Sequence, residues 1–164
     1  MDEETSMIPI RDTLIPILQK QVSHELRNEL VYRSVASWAA TKWLKGIQAY
    51  FSEQADGEAS HAKIIMGLLA DANEPLAIPN IENIPSGFTS CEQIASLYVE
   101  IEASTTAVLE TLYFAAEADR AVGISNVIQP MLTEQIEEEG SSDRFTKLVD
   151  MAGGNLILLD LALR

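Results

Sequence analysis

Basic residues are scarce in this chain: 11 Lys and Arg stand against 25 Asp and Glu, leaving a net charge of −14 over 164 residues. Nucleic acid and anionic membrane surfaces both demand basic patches, so the balance argues against either as a partner. Cations are the complementary guests of such a surface. Cysteine is almost missing too. Cys91 stands alone, which excludes an intrachain disulfide, a CxxC metal site and an iron–sulfur cluster. No apolar run approaches the ~20 residues that span a bilayer. The opening MDEETSM has neither the basic start nor the apolar stretch of a secretory signal. These absences predict a reducing, cytoplasmic setting. With only 8 Gly and 6 Pro and 47% hydrophobic residues, the composition is that of one globular domain over 1–164, with a flexible acidic segment at 1–11.

What is present is helical periodicity. A first helix is expected to open at Asp12–Thr13, tolerate Pro16 in its first turn and run to about Ala40, with Leu14, Leu18, Val22, Tyr32, Ala36 and Ala39 on one stripe. A second spans about Leu44 to Ala72. Pro75, Pro79, Pro85 and Gly87 then forbid helix over a long connection. Ser90–Cys91–Glu92–Gln93 has the form of a capping box and opens a third helix through Ile94, Tyr98, Ile101, Leu109 and Leu112. Gly123 separates this from a fourth helix reaching about Met151, in which Pro130 is expected to cause a kink. Two short connections around one long one predict an all-α, ferritin-like four-helix bundle (12–151) with a long crossover between helices two and three. A plain up-down-up-down bundle with a long loop is the alternative. After Gly153–Gly154, residues 155–164 form a short fifth helix that is apolar nearly all round, which is expected to pack between subunits.

The stripes carry an anomaly. Stepping from Phe51 by threes and fours lands on Gln54, Glu58 and His61 in QADGEASHAKIIM. The same step from Leu18 and Val22 reaches Glu25, and from Tyr98 it reaches Glu102. From Ile128 and Met131 it reaches Gln135 and Glu138. Burying this many unpaired carboxylates would cost several kcal/mol each, so something positive belongs among them. Glu25 and Glu58 are 33 residues apart, and so are Glu102 and Gln135. Each hairpin thus offers one polar group from its first helix and an i, i+3 pair from its second, the arrangement by which bundles hold two metal ions. Carboxylates with one imidazole suit iron or manganese better than zinc. Taken singly, a lone ExxH is commonplace, Tyr32 reads as core, and Glu29, Glu137 and Glu139 read as solvated.

In combination, ELRNELVY (25–32), EASH (58–61), IE (101–102) and EQIEEE (134–139) resemble the non-haem ferritins, above all the bacterial ones. The resemblance covers about residues 14–164. It implies a first iron site of Glu25, Glu58 and His61, with Glu58 bridging to a second site completed by Glu102 and Glu138. It also implies that Gln135 is the glutamine behind the centre, that Tyr32 is the tyrosine beside it, and that Trp38 has counterparts in several members. Gly57 is a departure, because many relatives carry Glu there. In bacterial members that acid completes an additional iron site with acids matching Glu134, Glu137 and Glu138. Bacterioferritins differ by a histidine at the position of Glu138. DNA-protecting miniferritins differ by an aspartate twelve residues after a histidine, where this chain has Ala36 after His24.

The resemblance further implies a ferroxidase. Such a protein oxidises Fe(II) with dioxygen or peroxide at a non-haem di-iron centre and stores ferric mineral in a homo-oligomeric, 24-subunit shell. Tyr32 would supply an electron when oxygen reduction needs more than two irons provide. Two other readings stay open from the residues themselves. One is another di-iron carboxylate oxidoreductase, such as a rubrerythrin-like peroxidase, against which the lack of rubredoxin cysteines counts. The other is a bundle that binds cations without redox turnover.

Overall fold

A computed structural model describes residues 12–78 and 80–164. Residues 1–11, including the segment expected to be flexible, and Pro79 lie outside the described residues. Five helices follow in order: α1 (Ile15–Thr41), α2 (Lys45–Asp71), α3 (Cys91–Ala118), α4 (Val122–Ala152) and α5 (Leu156–Ala162). Among the described residues no helix is long and apolar enough to cross a membrane.

The helix ends refine the reading from sequence. Leu14, not Asp12 or Thr13, holds the N-cap position of α1, with Pro16 in the first turn. The Thr13 hydroxyl is instead engaged with the Asp119 carboxylate at the far end of α3, a tertiary partner that outcompetes local capping. Ser90 caps α3 as expected, accepting the Gln93 N–H at 3.3 Å. The reciprocal bond goes one residue early, from the Thr89 N–H to Gln93 Oε1 at 3.2 Å. The α1–α2 and α3–α4 turns each place one residue in the left-handed region, Trp43 at φ 62° and Arg120 at φ 55°. Gly123 falls inside α4, and the helix is continuous across Pro130.

Side-chain pairs fix the topology. Tyr32 stacks edge-on against Tyr98 and bonds to Glu102, while Asn28 and His24 meet Thr105 and Thr13 meets Asp119. Numbers falling in α1 as they rise in α3 mean that the two are antiparallel. Leu14 and Leu18 share a cluster with Ile65 and Leu69, and Val35 and Ala39 share the other with Ile47 and Phe51, so α2 also runs against α1. It follows that α2 and α3 are parallel, and that residues 72–90 must travel the length of the bundle between them. The crossover is required by geometry.

The core is divided. One apolar cluster, around Val31, Val35, Ile47, Phe51, Ile94, Tyr98 and Phe145, fills one end. A second, around Leu14, Leu18, Ile65, Leu69, Leu109, Leu112 and Ile128, fills the other. Between them lies a buried polar layer of Gln21, Glu25, Asn28, Glu58, His61, Glu102, Thr105 and Gln135. Apolar packing on both sides removes water from this layer and sets the dielectric in which its charges interact.

The short α5 docks on its own subunit. Leu159 and Asp160 are buried against α2 and α4, while Ile157, Leu158 and Leu161 stay exposed. The expectation of a tail wholly given to neighbouring subunits is corrected in part: one face is intramolecular and the other remains free.

Candidate metal centre

Glu25 of α1 and Glu58 and His61 of α2 bring one ligand atom each to within 4.8 Å of one another, all three side chains being buried. The antiparallel α1–α2 hairpin causes this, because it sets Glu25 opposite the turn of α2 that carries Glu58 and His61 on one face. Among the described residues this is the one such trio of His, Cys, Asp or Glu. Glu102 is also buried, but its carboxylate is held elsewhere. The Tyr32 hydroxyl donates to one oxygen and Gln135 Nε2 to the other at 2.6 Å. Gln135 is thereby a hydrogen-bond partner of a carboxylate rather than a member of the trio.

Burial shifts the acids of this layer toward their protonated forms, and their mutual repulsion adds to it. Burial, then a hydrogen bond and repulsion from Glu25, then Glu102 and Glu138, push the Glu58 carboxyl well above the usual carboxylate range. Burial and the neighbouring charges of Glu102 and Glu134 raise Glu138 to about 7. Glu102 is raised by burial, though the donors Tyr32 and Gln135 work against it. The Tyr32 hydroxyl is raised well above its ordinary value by burial and by the carboxylates of Glu102 and Glu58. Without a cation, the layer holds protons in place of positive charge.

Several side-chain atoms here have no hydrogen-bond partner: Glu25 Oε2, Glu58 Oε2, His61 Nδ1 and Glu138 Oε2. Buried acceptors left unsatisfied cost about 1–3 kcal/mol each. A cation, being a shared partner for lone pairs, removes that cost for all of them at once. The donor set of carboxylate oxygens with one imidazole nitrogen fits ferrous and ferric iron.

Glu134 is exposed yet reaches the centre, with Oε2 at 3.2 Å from His61 Nε2. Glu137 is exposed, lining an open cleft on α4 with Glu134 and Thr133. A Cβ added at Gly57 would meet nothing within 4 Å.

Sequence reading missed two members of the polar layer, Gln21 and Asn28. Gln21 is fully buried and donates from Nε2 to Glu25 Oε1 at 2.5 Å. It lies four residues before Glu25, so continuing the stripe one turn backwards reaches it. Asn28 and Thr105 are fully buried and bonded to each other at 3.0 Å. Asn28 lies three residues after Glu25 and four before Tyr32, so the same stepping reaches it as readily as it reaches Glu29.

The family model for the ferritin-like domain matches residues 15–152. The chain belongs to the ferritin family. Its relatives include the ferritin BfrB of Mycolicibacterium smegmatis, 24% identical over 144 residues that cover 88% of this chain and 80% of that protein. The bacterial non-heme ferritin of Campylobacter jejuni is 25% identical over 151 residues, 90% of each chain. The open pore ferritin of the hyperthermophilic archaeon Archaeoglobus fulgidus has the same fold, with a TM-score of 0.87 at 23% identity over 94% of this chain and 98% of that one. In this ferritin the polar layer is a candidate metal site built from a buried Glu, Glu and His.

Proposed function

We propose that residues 1–164 form a single ferritin domain that oxidises Fe(II) and stores the ferric product in a homo-oligomeric shell, 24 subunits in the form the family resemblance implies. The observation that carries this reading is the set of partnerless ligand atoms of Glu25, Glu58, His61 and Glu138 in a layer sealed by apolar clusters. Iron is the substrate. Two ferrous ions each give up one electron, and two protons accompany those electrons to dioxygen, which leaves as hydrogen peroxide. Peroxide can serve as the oxidant in its turn.

Each residue has a definite task in this scheme. Glu25 and His61 bind the first ion. Glu58, between them and the other acids, binds both. Glu102 and Glu138 bind the second, with Glu102 turning from the Tyr32 and Gln135 donors as it does so. The carboxyls of Glu58 and Glu138 release their protons when cations arrive, since charge replaces charge. Tyr32, touching Glu102, is placed to yield an electron and a proton when oxygen reduction outruns two irons. Gln21 holds Glu25 in position, and Gln135 holds Glu102 until the second ion arrives. Glu134, beside His61, with Glu137 makes an additional site on α4, and Gly57 leaves it one acid short.

The test is anaerobic loading of the metal-free protein with two Fe(II) per subunit, followed by oxygen, with ferric absorbance and oxygen consumption recorded. Rapid oxidation at that ratio, with mineral retained in a large particle, is expected. Oxidation no faster than in buffer would sink the ferroxidase reading, and a monomeric particle would sink the shell.

A further inference from the structure

A second cavity lies on the other side of α1, and nothing in the ferroxidase scheme uses it. It is a groove of about 70 Å³ between α1 and α3, lined by His24, Arg27 and Asn28 from α1 and by Glu100 and Ser104 from α3. The two helices present matched i, i+4 pairs, His24 with Asn28 and Glu100 with Ser104, so donors from both converge on one space. The volume suits a single ion with one or two waters.

Hydrogen bonding fixes what these donors offer. Thr105 has one hydroxyl proton, which it gives to the Ile101 carbonyl at 3.0 Å. Its oxygen can therefore only accept from Asn28 Nδ2 and from His24 Nε2, both at 3.0 Å. Two assignments follow. Asn28 turns its amide nitrogen to Thr105, and its Oδ1 is left as a fully buried acceptor with no partner. With the Thr105 proton on the Ile101 carbonyl, His24 donates from Nε2 and its Nδ1 keeps a lone pair free to bind. The guanidinium of Arg27 is drawn off to the Asn83 carbonyl of the crossover at 3.4 Å. The residues that line the groove thus still offer one imidazole nitrogen, one amide oxygen, one hydroxyl and the exposed carboxylate of Glu100.

We propose that this groove is a separate, mononuclear site for a divalent first-row transition cation, with His24 Nδ1, Asn28 Oδ1 and Glu100 as its protein ligands. One nitrogen with two oxygens and open positions for water is a set that such ions accept. An ion there stands at the edge of the central layer and shares none of the atoms of Glu25, Glu58 and His61: His24 is next to Glu25 in sequence, but its ring meets Thr105 of α3. With Fe(II) as the available cation, the site adds one ion per subunit to those of the centre.

Zinc is the probe, because it does not turn over. Metal-free full-length protein is equilibrated with Zn²⁺, the ions bound per subunit are counted by dialysis, and crystals of the complex are measured at the zinc edge. An anomalous peak in the α1–α3 groove, about 2.0–2.1 Å from His24 Nδ1, is expected. His24→Gln and Glu100→Gln should each weaken binding of one ion per subunit at least tenfold and leave the other ions unchanged. Glu100 is exposed, so its variant keeps the fold. A groove without anomalous signal while the Glu25–Glu58–His61 cluster holds zinc would overturn the proposal, as would unchanged stoichiometry and affinity in both variants. Zinc in the groove with the central cluster empty would support it and count instead against the central site.

Discussion

Asp160 in α5 accepts the backbone N–H of Gly46 at 2.7 Å and that of Ile47 at 3.0 Å. These are N2 and N3 of α2, whose own N-cap residue is Leu44 and supplies no side chain. A helix start left uncapped by its local sequence is thus capped from more than a hundred residues away. Arg164 braces the same carboxylate at 3.0 Å. The negative charge at the positive end of α2 adds to the hydrogen bonds. Gly46 is required here, because a Cβ would lie 2.0 Å from the Asp160 carbonyl oxygen.

Asp160→Ala should therefore destabilise the subunit by about 1–2 kcal/mol, the usual cost of losing an N-cap. Gly46→Ala should cost more, since the clash is with backbone and α5 must move. Urea melts of both variants and limited proteolysis of the tail would check this. A Gly46→Ala protein as stable as wild type, with its tail still protected, would contradict the docking described.

The exposed face of α5 can be tested apart from the buried one. Leu158→Glu with Leu161→Glu leaves Leu159 and Asp160 in place but charges the free surface. Folded subunits in smaller or leakier assemblies are expected, with less mineral retained, as read by light scattering and iron loading. Deleting 155–164 confounds the two faces, because it also removes the α2 cap.

Glu58→Ala should abolish rapid iron oxidation, because the residue serves both ions, whereas His61→Ala should weaken mainly the first. Stopped-flow absorbance after oxygen addition separates them. The apo form of Glu58→Gln should melt above wild-type apo protein at pH 8, since a buried repulsive acid is gone.

Stability of the metal-free protein should fall as pH rises from about 5 to 8. The carboxyls of Glu58, Glu102 and Glu138 are all raised in the fold, Glu138 to about 7. A raised acid binds more protons folded than unfolded. Its favourable contribution is complete below the ordinary carboxylate range and is lost as pH climbs through the folded value. Cation binding competes with those same protons, so metal affinity should rise over the same window and the loaded protein should not show the decline. Calorimetric scans at several pH values, with and without Zn²⁺, would decide. An apo melting temperature that rises over this window would refute the protonated layer.

Gly57→Glu should increase iron bound by one ion per subunit, by completing the acids Glu134, Glu137 and Glu138. There is open space for the side chain. Replacing Gly by Glu within α2 also favours helix by up to about 1 kcal/mol. Unchanged iron stoichiometry would mean that Gly57 is not what limits the additional site.

Helical periodicity is local chemistry, and local chemistry is legible in a sequence. It placed Glu25, Glu58, His61, Glu102, Gln135 and Glu138 on inward stripes, and the long Pro-interrupted connection implied the crossover. The Ser90 cap could be read from three neighbouring residues. What depends on packing could not. Whether Glu102 faces an ion or Tyr32 and Gln135 is decided by which helices touch, and so are the cap that Asp160 makes and the bond from Thr13 to Asp119 across the chain. The protonation of Glu58 follows from acids on other helices at short range, a quantity that no spacing encodes. Asn28 shows the limit most plainly. Its place on the stripe between Glu25 and Tyr32 follows from spacing, but only the approach of Thr105 in the folded bundle leaves its Oδ1 buried and without a partner.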